Sequence, residues 1–203
     1  MKVSIERQIE EAEVLRFLEG FPNATFFHTP AWLHILTNSY RRIAGGWITA
    51  RNGSSLEGFM PFAEIGRGPF RTLWALPFGT YGDPIALDHR VEQELLETFM
   101  DMASGRMCLE AAAYLFGTES SPALPAGFSL RREECRVIEL EGTFEHYRSK
   151  LLGHKRRQLC NRAADEGVTV MPIEDPAGLR EFYRLYAAES SAWGGVHPYP
   201  YSL

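Results

Sequence analysis

GGWITARNGSSLEGFMPFAEI, residues 45–65, decides the fold. Two apolar-rich segments flank Asn52-Gly53, a dipeptide that closes tight hairpins because both residues tolerate a left-handed backbone. A third extended run follows in RTLWALPF (71–78), and GTYGDP (79–84) supplies a loop with two glycines and a proline. Such a loop can bring backbone N–H groups to a ligand, yet its spacing matches no nucleotide-binding fingerprint. Asp83 there is available as a general base, although Asp before Pro is first of all a turn residue.

Helices flank these strands. Ile9 to Leu18 reads as a short amphipathic helix stopped by Gly20 and Pro22. Thr29 is placed to cap a second helix that has Pro30 in its first turn, where a missing N–H costs nothing. That helix carries Trp32, Leu33, Ile35 and Leu36 toward Tyr40. Val91 to Met102 is a third helix, and MCLEAAAYLF (107–116) a buried strand. CRVIEL (135–140) and VTVMPI (168–173) are further strands, and Asp175 to about Trp193 is an amphipathic helix. The order lacks the steady βαβ rhythm of a doubly wound sheet, so the expected class is α/β with a mixed sheet of the α+β kind.

Function enters with HYRSKLLGHKRRQLCNR, residues 146–162. It has six Lys/Arg, two His and no acidic residue, in a chain of net charge -5. As part of one long helix from Thr143 to Glu166, with Gly153 as its weak point and Gly167 as its stop, it sorts side chains by direction. Lys150, His154 and Arg157 share a face, Leu152, Leu159 and Ala163 lie opposite, and Arg148, Lys155 and Arg162 form a second basic flank. Such a helix buries its leucines and offers cations to a phosphate or carboxylate. An ordinary solvated helix is the alternative. The acidic chain as a whole works against general nucleic-acid binding.

At 203 residues and 45% hydrophobic content the chain can bury a real core. Cys108, Cys135 and Cys160 form no CxxC pair or disulfide framework, which fits a reducing compartment. Cys108 and Cys135 read as buried small hydrophobes. The six His show no metal-ligand spacing, and no metal is expected. The N-terminus lacks the apolar core of a signal peptide and no 18-residue apolar run occurs, so a cytoplasmic location is expected.

FFHTPAWLHIL, a hairpin ending in LEGFMPF, then LWALPFGTYGDP and SKLLGHKRRQLCNRAADEGVTV, together resemble the first domain of Fem-like and GNAT-like acyltransferases. The resemblance runs from about residue 22 to 200 and lies in the order and spacing of loose motifs. It implies a GNAT-like (acyl-CoA N-acyltransferase-like) domain at residues 1–170. A second, truncated one begins at 171–203, where HPYPYSL suggests a chain that stops inside a larger structure. It further implies transfer of an acyl group from acyl-coenzyme A to an amine of a small molecule or a peptidoglycan or polysaccharide precursor of the cell envelope. The alternatives are an aminoacyl-tRNA-dependent peptidoglycan-bridge-type aminoacyltransferase or a non-catalytic module of the same fold. The tRNA reading is the lesser one, because no sustained heptads mark the helical arm such enzymes often carry. Lys150, Arg156 and Arg157 fall where the family keeps its basic helix, Trp32 where it keeps a Trp after the Thr-Pro cap, and Tyr81 in its PF-x-x-YG loop. With His154 these are the candidate substrate- or phosphate-binding residues, and no catalytic residue is singled out. The family's phosphate-gripping glycine turn belongs to the second domain and has no copy in these residues.

Overall fold

The structure is a computed structural model that describes residues 1–67, 70–104, 107–113, 115, 128–129, 131, 142–193 and 199–201. The chain divides into two compact units, residues 1–130 with 199–203, and residues 131–198.

The first unit is built on the hairpin. Strands β2 (Ile43–Asn52) and β3 (Ser55–Arg67) run antiparallel with Asn52 opposite Ser55. The tight turn is therefore Gly53-Ser54, one position later than Asn52-Gly53, with Gly53 in the left-handed region at φ 61°. Strand β1 (Lys2–Glu6) pairs antiparallel with β2, and β4 (Phe70–Trp74) and the short β5 (Ile85–Ala86) both pair antiparallel with β3. Strand β6 (Cys108–Ala112) lies parallel to β4, which gives the order β1-β2-β3-β4-β6. A parallel neighbour needs a crossover, and helix α3 (His89–Ser104) makes it. The sheet is mixed and the class α/β, as the sequence implies.

Successive strand residues face opposite sides, and here both sides are apolar. Helices α1 (Glu11–Leu18) and α2 (Pro30–Ser39) cover one face through Val14, Leu18, Trp32, Leu33 and Leu36, packed with Trp47 and Phe59 of the sheet. Helix α3 covers the other through Val91, Leu95, Leu96, Phe99 and Met100, packed with Ile48, Met60, Phe62 and Leu73. Three layers result, held mainly by apolar burial. Helix α2 has Pro30 in its first turn as expected, but Thr29 does not cap it. The Thr29 hydroxyl instead donates backward to the Phe26 carbonyl at 2.7 Å.

Strand β6 is not the buried strand that its apolar letters suggest. Leu109 is 72% exposed, and Cys108, half-exposed, donates its thiol to the Glu110 carbonyl. CRVIEL and Cys135 lie outside the described residues.

Polar ties fix the periphery. Glu64 accepts from Arg7 and from Arg71, which also reaches the Met102 carbonyl at the end of α3. Arg51 grips Glu13 of α1 through two N–H donors at 2.8 and 2.6 Å. This hydrogen bonding from Arg51 holds the Glu13 carboxyl below its ordinary value of 4.5, against the opposing effect of burial. A carboxylate depressed on folding stabilises the folded state above its unfolded pKa and loses that contribution as pH falls through the folded one. Wild type should therefore melt higher than Glu13→Gln at neutral pH, and the gap should close as pH falls through the ordinary carboxylate range and below it. Thermal melts of both proteins across that range check it, and a gap that persists at the acid end would contradict the assignment.

The second unit is helical throughout its described elements. A short turn α4 (Phe144–His146), whose His146 N–H donates to the Thr143 hydroxyl, runs into a π-type turn at Tyr147–Leu151. Helix α5 (His154–Asp165) follows after a break, and α6 (Pro176–Ala192) closes the unit. Asp175 caps α6 by accepting from the Ala177 and Gly178 N–H groups at 2.7 and 2.8 Å. Gly167, at φ 80°, ends α5 as expected, with the Val168 N–H returning to the Ala163 carbonyl.

Two expectations for this unit are corrected. Residues 143–166 are not one helix, because Leu152 takes an extended conformation (ψ 117°) and Gly153 follows suit (ψ 150°). Glycine's low helix propensity makes that the natural breaking point. VTVMPI is no strand either. Residues 168–174 join no ladder among the described residues, and Val170 is 96% exposed. Among the described residues no helix is long and apolar enough to cross a membrane.

Candidate functional site

The basic segment is organised by its break. With the helix interrupted at Gly153, Lys150 sits on the π-type turn, while His154, Arg156 and Arg157 open α5. The shared helical direction of Lys150, His154 and Arg157 no longer brings them together. Two arginines do that work instead. The Arg157 guanidinium donates to the Ser149 carbonyl at 2.8 Å, and Arg148 donates to Asn161 Oδ1 at 2.7 Å. Both bonds reach across the break and tie the turn to α5, one at its first turn and one further along it.

Lys150, His154, Lys155 and Arg156 are then left exposed, without an ion-pair or hydrogen-bond partner among the described residues. His154, Lys155 and Arg156 lie in the first turn of α5 and Lys150 on the turn before it, where Gly153 is the N-cap and no side chain caps the helix. The first N–H groups of a helix point outward and carry the positive end of its dipole. Lysine and arginine cations held there face unfavourable like-charge and dipole terms that an anion would relieve. On the apolar side opposite, Leu159 is 65% exposed, while Leu152 and Ala163 are half-buried. Cys160 is exposed as well.

The remaining candidates belong to the first unit. Trp32 is buried under the α1–α2 face, with the Phe26 and Phe27 rings edge-on to it at 6.0 and 5.3 Å, and its indole N–H has no partner among the described residues. It packs as core. Tyr81 is half-buried in the loop after β4.

That loop has a feature the sequence reading passed over. Asp83 is buried rather than presented as a base, and its Oδ1 lies 3.4 Å from Nε2 of His28, which is fully buried. His28 ends the 3₁₀ turn Phe26–His28, and its Nδ1 accepts from the Thr25 backbone N–H at 3.1 Å. The spacing Thr25-x-x-His28 ahead of a Pro-started helix was the available signal, a variant of the reciprocal capping arrangement.

Among the described residues no group of three or more His, Cys, Asp or Glu is placed to hold a metal ion.

No protein-family model matches the chain, and none of the curated proteins does. Two solved structures resemble it weakly. One is a crystal structure of FemX, 14% identical with a TM-score of 0.36, matched over 52% of this chain and 24% of that one. The other is a ribosomal-protein-alanine N-acetyltransferase from Brucella melitensis biovar Abortus 2308, 17% identical with a TM-score of 0.39, matched over 66% of this chain and 100% of that one. The chain thus spans about a quarter of FemX. Both TM-scores are too low for either likeness to carry a conclusion about fold or chemistry.

Proposed function

We propose that the chain is part of a GNAT-like acyltransferase that moves an acyl group from acyl-coenzyme A to an amine of a small molecule or cell-envelope precursor. The observation that carries the reading is the basic group Lys150, His154, Lys155 and Arg156, without an ion-pair or hydrogen-bond partner among the described residues, around the start of α5, which no side chain caps. Coenzyme A is a polyanion, and such a group suits its phosphates without any proton transfer. The motif order FFHTPAWLHIL, LWALPFGTYGDP and SKLLGHKRRQLCNR supports the same reading.

In the reaction, a neutral amine attacks the thioester carbonyl. A C–N bond forms, the C–S bond breaks, the thiolate leaves, and the amine proton passes to solvent or to the leaving sulfur. Approximation of the two substrates and stabilisation of the oxyanion supply most of the rate in such transfers. The role assigned to this chain is binding. Lys150, His154 and Arg156 contact phosphate, while Arg157, tied to Ser149, holds the turn that carries Lys150.

Calorimetric titration of the chain with coenzyme A tests this. Lys150→Ala with Arg156→Ala should weaken binding about tenfold or more, by removing two charge-assisted contacts. The loss should shrink at high salt. Equal affinity in the variant would remove the basic segment from the site. Labelled acetyl-coenzyme A incubated with amino-sugar and peptide amines then reads turnover.

A further inference from the structure

We infer that His28 is a two-ended tie that holds the loop 77–84 in its strained conformation, through Asp83 at one nitrogen and the Thr25 cap at the other. Each end follows from simple chemistry. Because the Thr25 N–H donates to Nδ1, that nitrogen is unprotonated, and a neutral imidazole carries its proton on Nε2. The Thr25 hydroxyl lies 3.0 Å from the same Nδ1. The donor is then Nε2–H, and the carboxylate oxygen that faces that nitrogen is Asp83 Oδ1, 3.4 Å away.

That separation is long for a hydrogen bond. Both atoms are buried, and neither makes a hydrogen bond of ordinary geometry among the described residues, so this approach is the nearest polar contact the structure gives them. A buried donor and a buried acceptor left apart would each bear a desolvation cost, so each is the other's means of satisfaction. The contact joins the turn before α2 to a loop far along the chain.

The loop needs such a tie. Phe78 has φ 68°, a left-handed backbone that a bulky residue adopts only under constraint, and Gly79 beside it has the same φ. Three contacts supply the constraint locally. The Thr80 hydroxyl donates to the Pro77 carbonyl at 2.9 Å, and the Phe78 ring lies 5.2 Å from Tyr40 and 5.7 Å from Tyr199. All of these act on residues 77–80. The far end, at residues 82–83, is buried through Gly82 and Asp83, and His28 is the polar group that meets it. Tyr81 is thereby fixed between two anchored ends. The tie is separate from acyl transfer, and loop order, not turnover, reads it out.

Side-chain replacements separate the two ends. Asn at position 28 keeps an acceptor where Nδ1 was but is too short to reach Asp83. Gln keeps a donor where Nε2 was but loses the acceptor for Thr25. His28→Asn and Asp83→Ala should raise chymotryptic cleavage after Phe78 and Tyr81, and amide exchange at Thr80, Gly82 and Asp83, by about tenfold. Amides of the β2–β3 hairpin serve as the internal reference and should change far less. His28→Gln should leave the loop close to wild type and loosen residues 25–28 instead. Asp83→Asn retains an acceptor oxygen for Nε2–H and should protect the loop where Asp83→Ala does not, a comparison that survives if position 28 tolerates no change. Loop protection unaltered in His28→Asn and Asp83→Ala would overturn the tie. So would equal behaviour of Asp83→Asn and Asp83→Ala, or a loss shared equally by the hairpin amides.

Discussion

Phe59→Ala should cost the first unit about 3–5 kcal/mol, the range for removing a fully buried aromatic ring. Phe59 sits mid-strand in β3 with no solvent exposure, and its ring meets Trp47 at 5.5 Å and Phe17 at 5.9 Å. Those neighbours come from a strand and from the end of α1, so neither can collapse into the space without leaving its own element. The lost volume stays a cavity, and its lining loses dispersion contacts as well as burial. The matched control is Leu159→Ala, in the helix whose leucines were expected to be anchors. With Leu159 65% exposed, that change should stay within about 0.5 kcal/mol. Urea titrations followed by circular dichroism check both. A cost under about 1 kcal/mol at Phe59 would contradict the buried face of the sheet, and a large cost at Leu159 would restore a leucine-anchored helix.

The contrast between these two positions shows what the sequence makes legible. Hairpin, α2, α3 and α6 are announced by local signals: a Gly-containing turn, a Pro at the start, apolar residues at helical spacing, Asp175 before Pro176. Each works over a few residues, and each appears in the structure. Strand β1 was not read, because the identity of five residues as a strand lies in their pairing with β2, far along the chain. The converse error is VTVMPI, whose alternation and β-branching suit a strand, yet no partner strand stands beside it among the described residues. A strand's ladder is non-local, and composition records only readiness for it. The basic segment was legible as charge but not as geometry. Gly153 was seen as weak, while the elbow depends on Arg148 and Arg157 reaching across it. His28 and Asp83 were each visible as residues, and only the fold brings them together.

Gly82→Ala is the substitution with the largest expected effect on the loop. A Cβ at position 82 would lie 2.8 Å from Leu76 Cγ, and 3.0 Å from both the Ala75 carbonyl carbon and the Leu76 nitrogen. A side-chain tip can swing aside, but backbone atoms running on from β4 cannot. Overpacking of this kind typically costs about 1–3 kcal/mol. The loop end must lift, and Asp83, the next residue, must lift with it, opening its distance to His28 beyond 3.4 Å. Gly82→Ala and His28→Asn then break one shared contact, so their stability losses should sum to more than the double variant shows. Gly79→Ala is the comparison that isolates backbone strain. Its Cβ would meet open space, but φ 68° is unfavourable for alanine by about 1–2 kcal/mol. That loss should add fully to His28→Asn, since it arises in the local turn and not at the tie. Thermal or urea denaturation of the two double variants and their parents decides between these outcomes. Full additivity in both pairs would mean that the seating of Gly82 and the His28 contact act independently.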